Sequence, residues 1–234
     1  MNFLKAEWRK LAIINYEIAP EVLLPYLPEG TELDFYQGKC YVSLVGFMFL
    51  NTKLLGLSIP FHRNFEEVNL RFYVKKKEND VWKRGVVFIK EIVPKPALTL
   101  VANSIYKESY QTMPMKNQIH RREDELLIKY SWKDKSWYSI EIKAEHKQRP
   151  MVVDSEFEFI TEHYFGFTKY RNKTSEYEVV HPKWNYYKVK DYQIDIDFKK
   201  VYGKDFESLN EKGPLSVMLA EGSEIEVKTK KYIA

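Results

Sequence analysis

The chain has 234 residues, of which 44% are hydrophobic and 15% aromatic, including 17 Tyr and 14 Phe. That much bulky side chain can bury well over half of the unfolded chain's surface and argues against disorder. The 37 basic and 33 acidic residues leave a net charge of only +4, far from the dense basic stripe that neutralises nucleic-acid phosphates. Lysine runs at 75–77 and 228–231 read as solvated turns or charged strand edges.

Cys40 is the single cysteine, so no internal disulfide can form, and its apolar neighbourhood suits a small buried thiol in a reducing cytoplasm. No stretch approaches the 18 or so uncharged apolar residues of a membrane-spanning helix, and the first residues lack a secretory pattern. The expectation is a single cytoplasmic domain over 1–234, with no membrane or nucleic-acid partner and room for a homo-oligomer.

In chain order, Pro20 opens a helical turn or two that Pro25 and Pro28 keep short. Strands follow at 33–36 and 41–50 around the Gln37-Gly38 turn. Residues 66–74 alternate most clearly, and 81–93 reads as the next strand, with Gly85 marked as a bulge. Residues 96–110 place Leu98, Val101, Ala102, Ile105 and Tyr106 at helical spacing behind Pro96. A hairpin is predicted at 126–132 and 137–144 around a short polar connection. Residues 156–165 fit either a helix or a strand. Further strands are expected at 177–180 and 185–190, a short helix at 204–210, and a last hairpin, 216–220 with 224–233, turning at Glu221-Gly222-Ser223. No repeat or flexible linker divides the chain. The pattern predicts a β-rich α+β fold, mainly an antiparallel barrel or cone with two or three short helices.

Phosphate-binding glycine loops, dinucleotide fingerprints, nucleophile elbows and paired His or Cys at metal spacing are all missing from the sequence. Neither a cofactor nor a metal is therefore expected. The five histidines are scattered, as hydrogen-bonding core residues usually are. Period-two alternation places Glu67, Asn69, Arg71 and Tyr73 on one face of the 66–74 strand and Val68, Leu70, Phe72 and Val74 on the other. The polar row fits a solvated face carrying a weak ion pair. It also fits a lumen in which Arg71, paired with Glu67 or another inward carboxylate, offers its remaining donors to a ligand carboxylate. Lys90 and Lys95 end the next strand, where a Schiff-base role would need an amine pKa lowered by roughly three units. His181 and Trp184, in His181-Pro182-Lys183-Trp184, combine a titratable ring with an aromatic and are equally well explained by packing.

Several blocks carry a family resemblance. Asn15-Tyr16-Glu17-Ile18-Ala19-Pro20-Glu21-Val22-Leu23, Leu27-Pro28-Glu29-Gly30, Tyr41-Val42-Ser43-Leu44-Val45-Gly46-Phe47, Ile59-Pro60-Phe61-His62, Glu67-Val68-Asn69-Leu70-Arg71-Phe72-Tyr73-Val74, Arg84-Gly85-Val86-Val87-Phe88 and His181-Pro182-Lys183-Trp184 resemble, in order, the YqjF-like family of uncharacterised bacterial proteins. That family is placed in the acetoacetate decarboxylase-like superfamily, and the resemblance implies a cone-shaped antiparallel barrel with a central cavity. Function does not automatically follow fold. The decarboxylase attacks its β-keto acid with a lysine whose pKa is lowered by a neighbouring cation and by desolvation. Lys95 matches one member of that lysine pair, but Pro96 stands where the second lysine would be. The acidic residue expected a few positions before Ile59-Pro60 also has no counterpart. Arg9, before the first expected strand, corresponds under the resemblance to the arginine that holds a substrate carboxylate. Together, the resemblance and the residues singled out above lead to the expectation of a protein that binds a small carboxylate or carbonyl compound in its cavity, or an enzyme of unknown reaction, with Arg9, Glu67, Asn69, Arg71, Tyr73, His181 and Trp184 as ligand-binding candidates. Two alternatives stand beside it: a divergent Schiff-base lyase or hydrolase using Lys95, and a structural or protein-interaction barrel without a ligand.

Overall fold

In a computed structural model, which describes residues 2–106, 108–170 and 173–233, one continuous sheet bends back on itself. Its strands are β1 (Asn2–Glu17), β2 (Glu32–Leu33), β3 (Phe35–Tyr36), β4 (Lys39–Leu54), β5 (Phe65–Glu78), β6 (Val81–Val93), β7 (Tyr110–Thr112), β8 (Met115–Arg121), β9 (Glu125–Lys133), β10 (Trp137–Arg149), β11 (Phe165–Tyr170), β12 (Lys173–Val180), β13 (Tyr186–Asp195), β14 (Ser216–Lys228) and β15 (Lys231–Tyr232). Among the described residues four short α-helices accompany them, α1 (Pro20–Leu23), α2 (Pro96–Val101), α3 (Glu156–Thr161) and α4 (Phe198–Tyr202), with 3-10 turns at Leu24–Tyr26 and, as expected, at Lys204–Asn210.

Seven strands close a ring in the order β12-β11-β6-β5-β4-β1-β14, with β14 returning to β12. Closure rests on two residue pairs, Val179 with Val227 and Val180 with Glu226, so the ring is less regular than a fully laddered barrel. All its pairings are antiparallel except β11 with β6. From β14 the sheet continues through β13, β10, β9 and β8, which form a second layer.

The two faces of the ring strands carry separate cores because successive side chains point to opposite sides. On β1, Ala12 and Ile14 face outward with Val42, Leu44, Leu70 and Phe72, and pack with Ile128, Tyr130, Trp132, Ile140 and Ile142 of the second layer. Leu11 and Ile13 face inward with Val45, Phe47, Phe49, Phe65 and Val179. At Gly46 the layers meet so closely that an added Cβ would stand 2.8 Å from the Tyr130 ring.

Several expectations are corrected. No strand is expected from the sequence before Leu33, yet β1 is a 16-residue strand between β4 and β14 of the ring, and Arg9 lies within it. Its mixed first half (Asn2 to Lys10) hides the alternation, because the register shifts between Lys5 and Glu7 and again between Arg9 and Ala12. Glu221-Gly222-Ser223 is no turn. β14 runs straight through it, and Gly222 adopts φ 81 where a Cβ would meet the Trp8 carbonyl oxygen at 2.0 Å. Glycine is needed here for a close backbone approach rather than for a reversal.

The bulge expected at Gly85 sits at the β5–β6 register shift, where Leu70 faces Lys90 and Arg71 faces Phe88. Gly85 instead makes room for the Phe165 carbonyl of β11. The long helix expected over 96–110 is shorter. α2 ends at Val101, a π-turn covers Ala102–Tyr106, and the chain re-enters the sheet at Tyr110. The Ile105 and Tyr106 side chains expected on its apolar face lie outside the described side chains. Residues 156–165 resolve into α3, whose Ser155 cap accepts from the Glu158 amide, followed by the start of β11.

Candidate functional site

Side chains from all seven ring strands, together with α2, Ile59, His62, Glu108, Tyr110 and His163, line a cavity of about 180 Å³. Its surface is divided. β1 and β4 contribute Trp8, Phe47 and Phe49, with Phe65 of β5 stacked on Phe49 at 4.8 Å. Trp8 meets Phe47 and Phe49 edge-on at 5.3 and 5.9 Å. The polar side chains come mainly from β5, β6 and the segment leading into β7: Glu67, Asn69, Arg71, Glu91, Glu108 and Tyr110.

The polar row of the 66–74 strand therefore faces the cavity, and the strand is buried on both sides. Glu67 is 2%, Asn69 1% and Arg71 7% exposed. Asn69 Nδ2 donates to Glu67 Oε1 at 2.9 Å, and the Tyr110 hydroxyl donates to Glu67 Oε2 at 3.2 Å. The expected Arg71–Glu67 ion pair does not form, and Arg71 has no ion pair among the described residues. Four residues of extended strand separate the two by roughly 13 Å of backbone, with Asn69 between them. The Arg71 Nε has no partner; the guanidinium lies 5.8 Å from the Tyr73 ring centre. Tyr73 itself is buried, its hydroxyl 2.7 Å from Ser43 Oγ.

Electrostatics around the acids follow from burial in an apolar enclosure. Desolvation pushes the Glu67 carboxyl up to about 7 against the bonds from Asn69 and Tyr110 and the attraction of Arg71. Glu108 is likewise raised to about 7, chiefly by desolvation, although Thr168 donates to it at 2.6 Å. Glu91, 2% exposed with an unpartnered Oε2, is raised well above the usual carboxylate range by desolvation and by the nearby Glu108 and Glu67. Burial thus shifts all three acids at this end of the cavity toward their protonated forms.

His163 marks the other end of the row. Its ring lies 4.8 Å from Tyr73, and its Nε2 is 3.2 Å from Asp34 Oδ2, which Arg84 Nε also reaches at 2.6 Å. Burial drives the imidazole down to about 4 despite Asp34, so it is neutral at pH 7. Burial pulls Asp34 upward, but the bonds from His163 and Arg84 outweigh it and hold the carboxyl below its ordinary value.

The remaining expected residues stand apart from this cavity. Arg9 is partly exposed and bonded to Glu7 at 2.7 and 2.9 Å. His181 stacks on Trp184 at 4.3 Å, and Trp184 Nε1 donates to Ser223 Oγ at 2.9 Å; neither ring lines the cavity. Lys95 precedes α2, half-buried, and no lysine lines the cavity among the described residues. Glu91, Glu108, Tyr110 and His163 escaped the sequence reading. A glutamate before Ile92-Val93 in a strand was the one usable signal, because the others come from irregular segments or short elements.

A ring of mainly antiparallel strands around a polar-and-apolar cavity defines an acetoacetate decarboxylase-like fold. The acetoacetate decarboxylase of Legionella pneumophila superposes with a TM-score of 0.67 at 15% identity, covering 99% of this chain and 87% of that one. The enduracididine biosynthesis enzyme MppR complexed with pyruvate gives 0.67 at 9% identity, covering 100% and 91%. An acetoacetate decarboxylase-like enzyme from Sphingomonas wittichii RW1 gives 0.66 at 9%, covering 100% and 94%. At these identities the likeness is one of fold. The model of the DUF2071 family, described as an uncharacterized conserved protein, matches residues 5–224, and the chain belongs to that family. An uncharacterized protein of Bacillus subtilis (strain 168), YqjF, is 27% identical over 186 residues, covering 77% of this chain and 74% of the relative. No helix among the described residues is long and apolar enough to cross a membrane.

Proposed function

We propose that the chain binds a small carboxylate or carbonyl compound inside the strand ring, with Arg71 holding the anionic group. The observation that carries this reading is an arginine only 7% exposed, lining a cavity, with no ion pair among the described residues. A buried cation without a partner is costly, and a bound carboxylate would offset that cost through two parallel hydrogen bonds. The neutral acids fit a carbonyl as well, because the unpartnered Oε2 side of a protonated Glu91 offers a donor to a ligand oxygen. The pyruvate named with MppR is a small carboxylate on the same fold and supports the reading.

The proposal is one of binding and does not require a reaction. The Schiff-base alternative is disfavoured by the position of Lys95 outside the cavity. A site of action in the cytoplasm fits the buried Cys40, and a single domain over 1–234 is supported by a sheet that runs through both halves of the chain. The test is thermal denaturation with acetate, pyruvate and acetoacetate. The expected result is a rise in Tm that saturates with ligand, worth about 2.7 kcal/mol at a hundred times Kd, and that is absent in Arg71→Met. No response to any carboxylate, or an equal response in Arg71→Met, would overturn the proposal.

A further inference from the structure

We propose that the natural ligand is an aryl-substituted carboxylic acid, a single aromatic ring on a short arm ending in carboxylate, rather than an acid of two or three carbons. This inference rests on the reading of Arg71 as the carboxylate anchor and specifies what the rest of the cavity accepts. The cavity is also lined by Trp8 of β1, Phe47 and Phe49 of β4, Phe65 of β5, Phe88 of β6 and Phe165 of β11. Trp8, Phe47, Phe49 and Phe65 are linked by edge-on, tilted and stacked contacts, so they form a continuous wall.

Size and chemistry agree. An apolar cavity of about 150 Å³ takes up benzene, and this one measures about 180 Å³. A ring with a one- or two-carbon acid arm matches that volume, whereas acetate or pyruvate would leave the aromatic wall without contacts and forfeit dispersion and burial. Aromatic walls also favour a ring over an aliphatic chain through edge-to-face contact.

The sign of the head group follows from which polar groups are already engaged. Both oxygens of Glu67 accept hydrogen bonds, from Asn69 and Tyr110, and Glu108 accepts from Thr168. Arg71 is the charged group of the cavity with donors to spare. Glu91 Oε2 and Asn69 Oδ1 are also without partners, but burial favours the neutral form of Glu91, so an amine gains no counter-charge there, while a carboxylate gains one at Arg71.

The experiment is a calorimetric titration and thermal-shift series on the full chain with phenylacetate, 3-phenylpropanoate, acetate, pyruvate and benzylamine. Phenylacetate or phenylpropanoate is expected to half-saturate at a concentration at least about tenfold below acetate and pyruvate. Arg71→Met should lose the response to the aryl acids. If acetate or pyruvate binds as tightly as the aryl acids, the aryl inference is overturned while the carboxylate reading stands. If no acid binds, or if Arg71→Met still takes up phenylacetate as the parent does, the carboxylate reading fails and the inference with it. Tighter binding of benzylamine than of phenylacetate would overturn the choice of an acid. Because the ligand series is read on the parent chain, the aryl inference is tested even if the variant folds poorly.

Discussion

Arg71 and Glu67 share one face of β5 and one cavity, yet Glu67 is bonded to Asn69 and Tyr110 while Arg71 is left without an ion pair among the described residues. The strand spacing that puts them on the same wall also keeps them from meeting, and the consequence is a cavity with an unpaired cation at one position and, four residues away, a carboxyl raised by burial.

Replacing Arg71 with Met should leave the ligand-free protein within about 1 kcal/mol of the parent, or above it, because an unpartnered buried charge is exchanged for an apolar chain of similar length. Chemical denaturation without added ligand measures this. A loss of several kcal/mol would show that Arg71 has internal partners in solution.

Leu70 is fully buried between the ring and the second layer. Leu70→Ala should therefore lower stability by about 2–5 kcal/mol. An unchanged melting temperature would contradict the packing of β5 against Ile128, Tyr130 and Ile140.

Gly222→Ala should cost at least about 1–3 kcal/mol, since the residue sits at positive φ against the Trp8 carbonyl. A hairpin turn with open space at this position would have tolerated the added methyl far better, so equilibrium unfolding of this variant separates a straight β14 from a reversal.

The raised Glu67 carboxyl makes stability pH-dependent. Its folded value of about 7 exceeds its value of 4.5 when unperturbed. Its contribution is therefore fully present below about pH 4.5 and is lost as pH rises through about 7. His163, held down at about 4, acts oppositely, losing its contribution as pH falls from about 6.5 to about 4. The two are separated by difference. The Tm of Glu67→Gln minus that of the parent should grow between about pH 4.5 and 7, because the amide cannot ionise. A flat difference across that window would mean that Glu67 is not buried as an acid.

Acetoacetate followed by borohydride should leave the chain's mass unchanged, because the residue best placed by sequence, Lys95, lies outside the cavity and has Pro96 as its neighbour. A reduced adduct on Lys95, with carbon dioxide released, would restore the lyase alternative.

By itself the sequence determined the strand-rich architecture, the two-sided β5 with Val68, Leu70, Phe72 and Val74 opposite Glu67, Asn69 and Arg71, and the family. These are properties of local alternation and of contiguous blocks, which a linear reading captures. It could not say whether the polar face of β5 met water or a lumen, since both show the same period of two. Ring closure between β12 and β14 decided that, through pairs nearly fifty residues apart. Tertiary structure alone also brought Glu91, Glu108, Tyr110 and His163 to the same enclosure, and set Arg9, Lys95, His181 and Trp184 outside its wall. The perturbed acids exist only there, because desolvation depends on what surrounds a carboxyl in space and not on its neighbours along the chain.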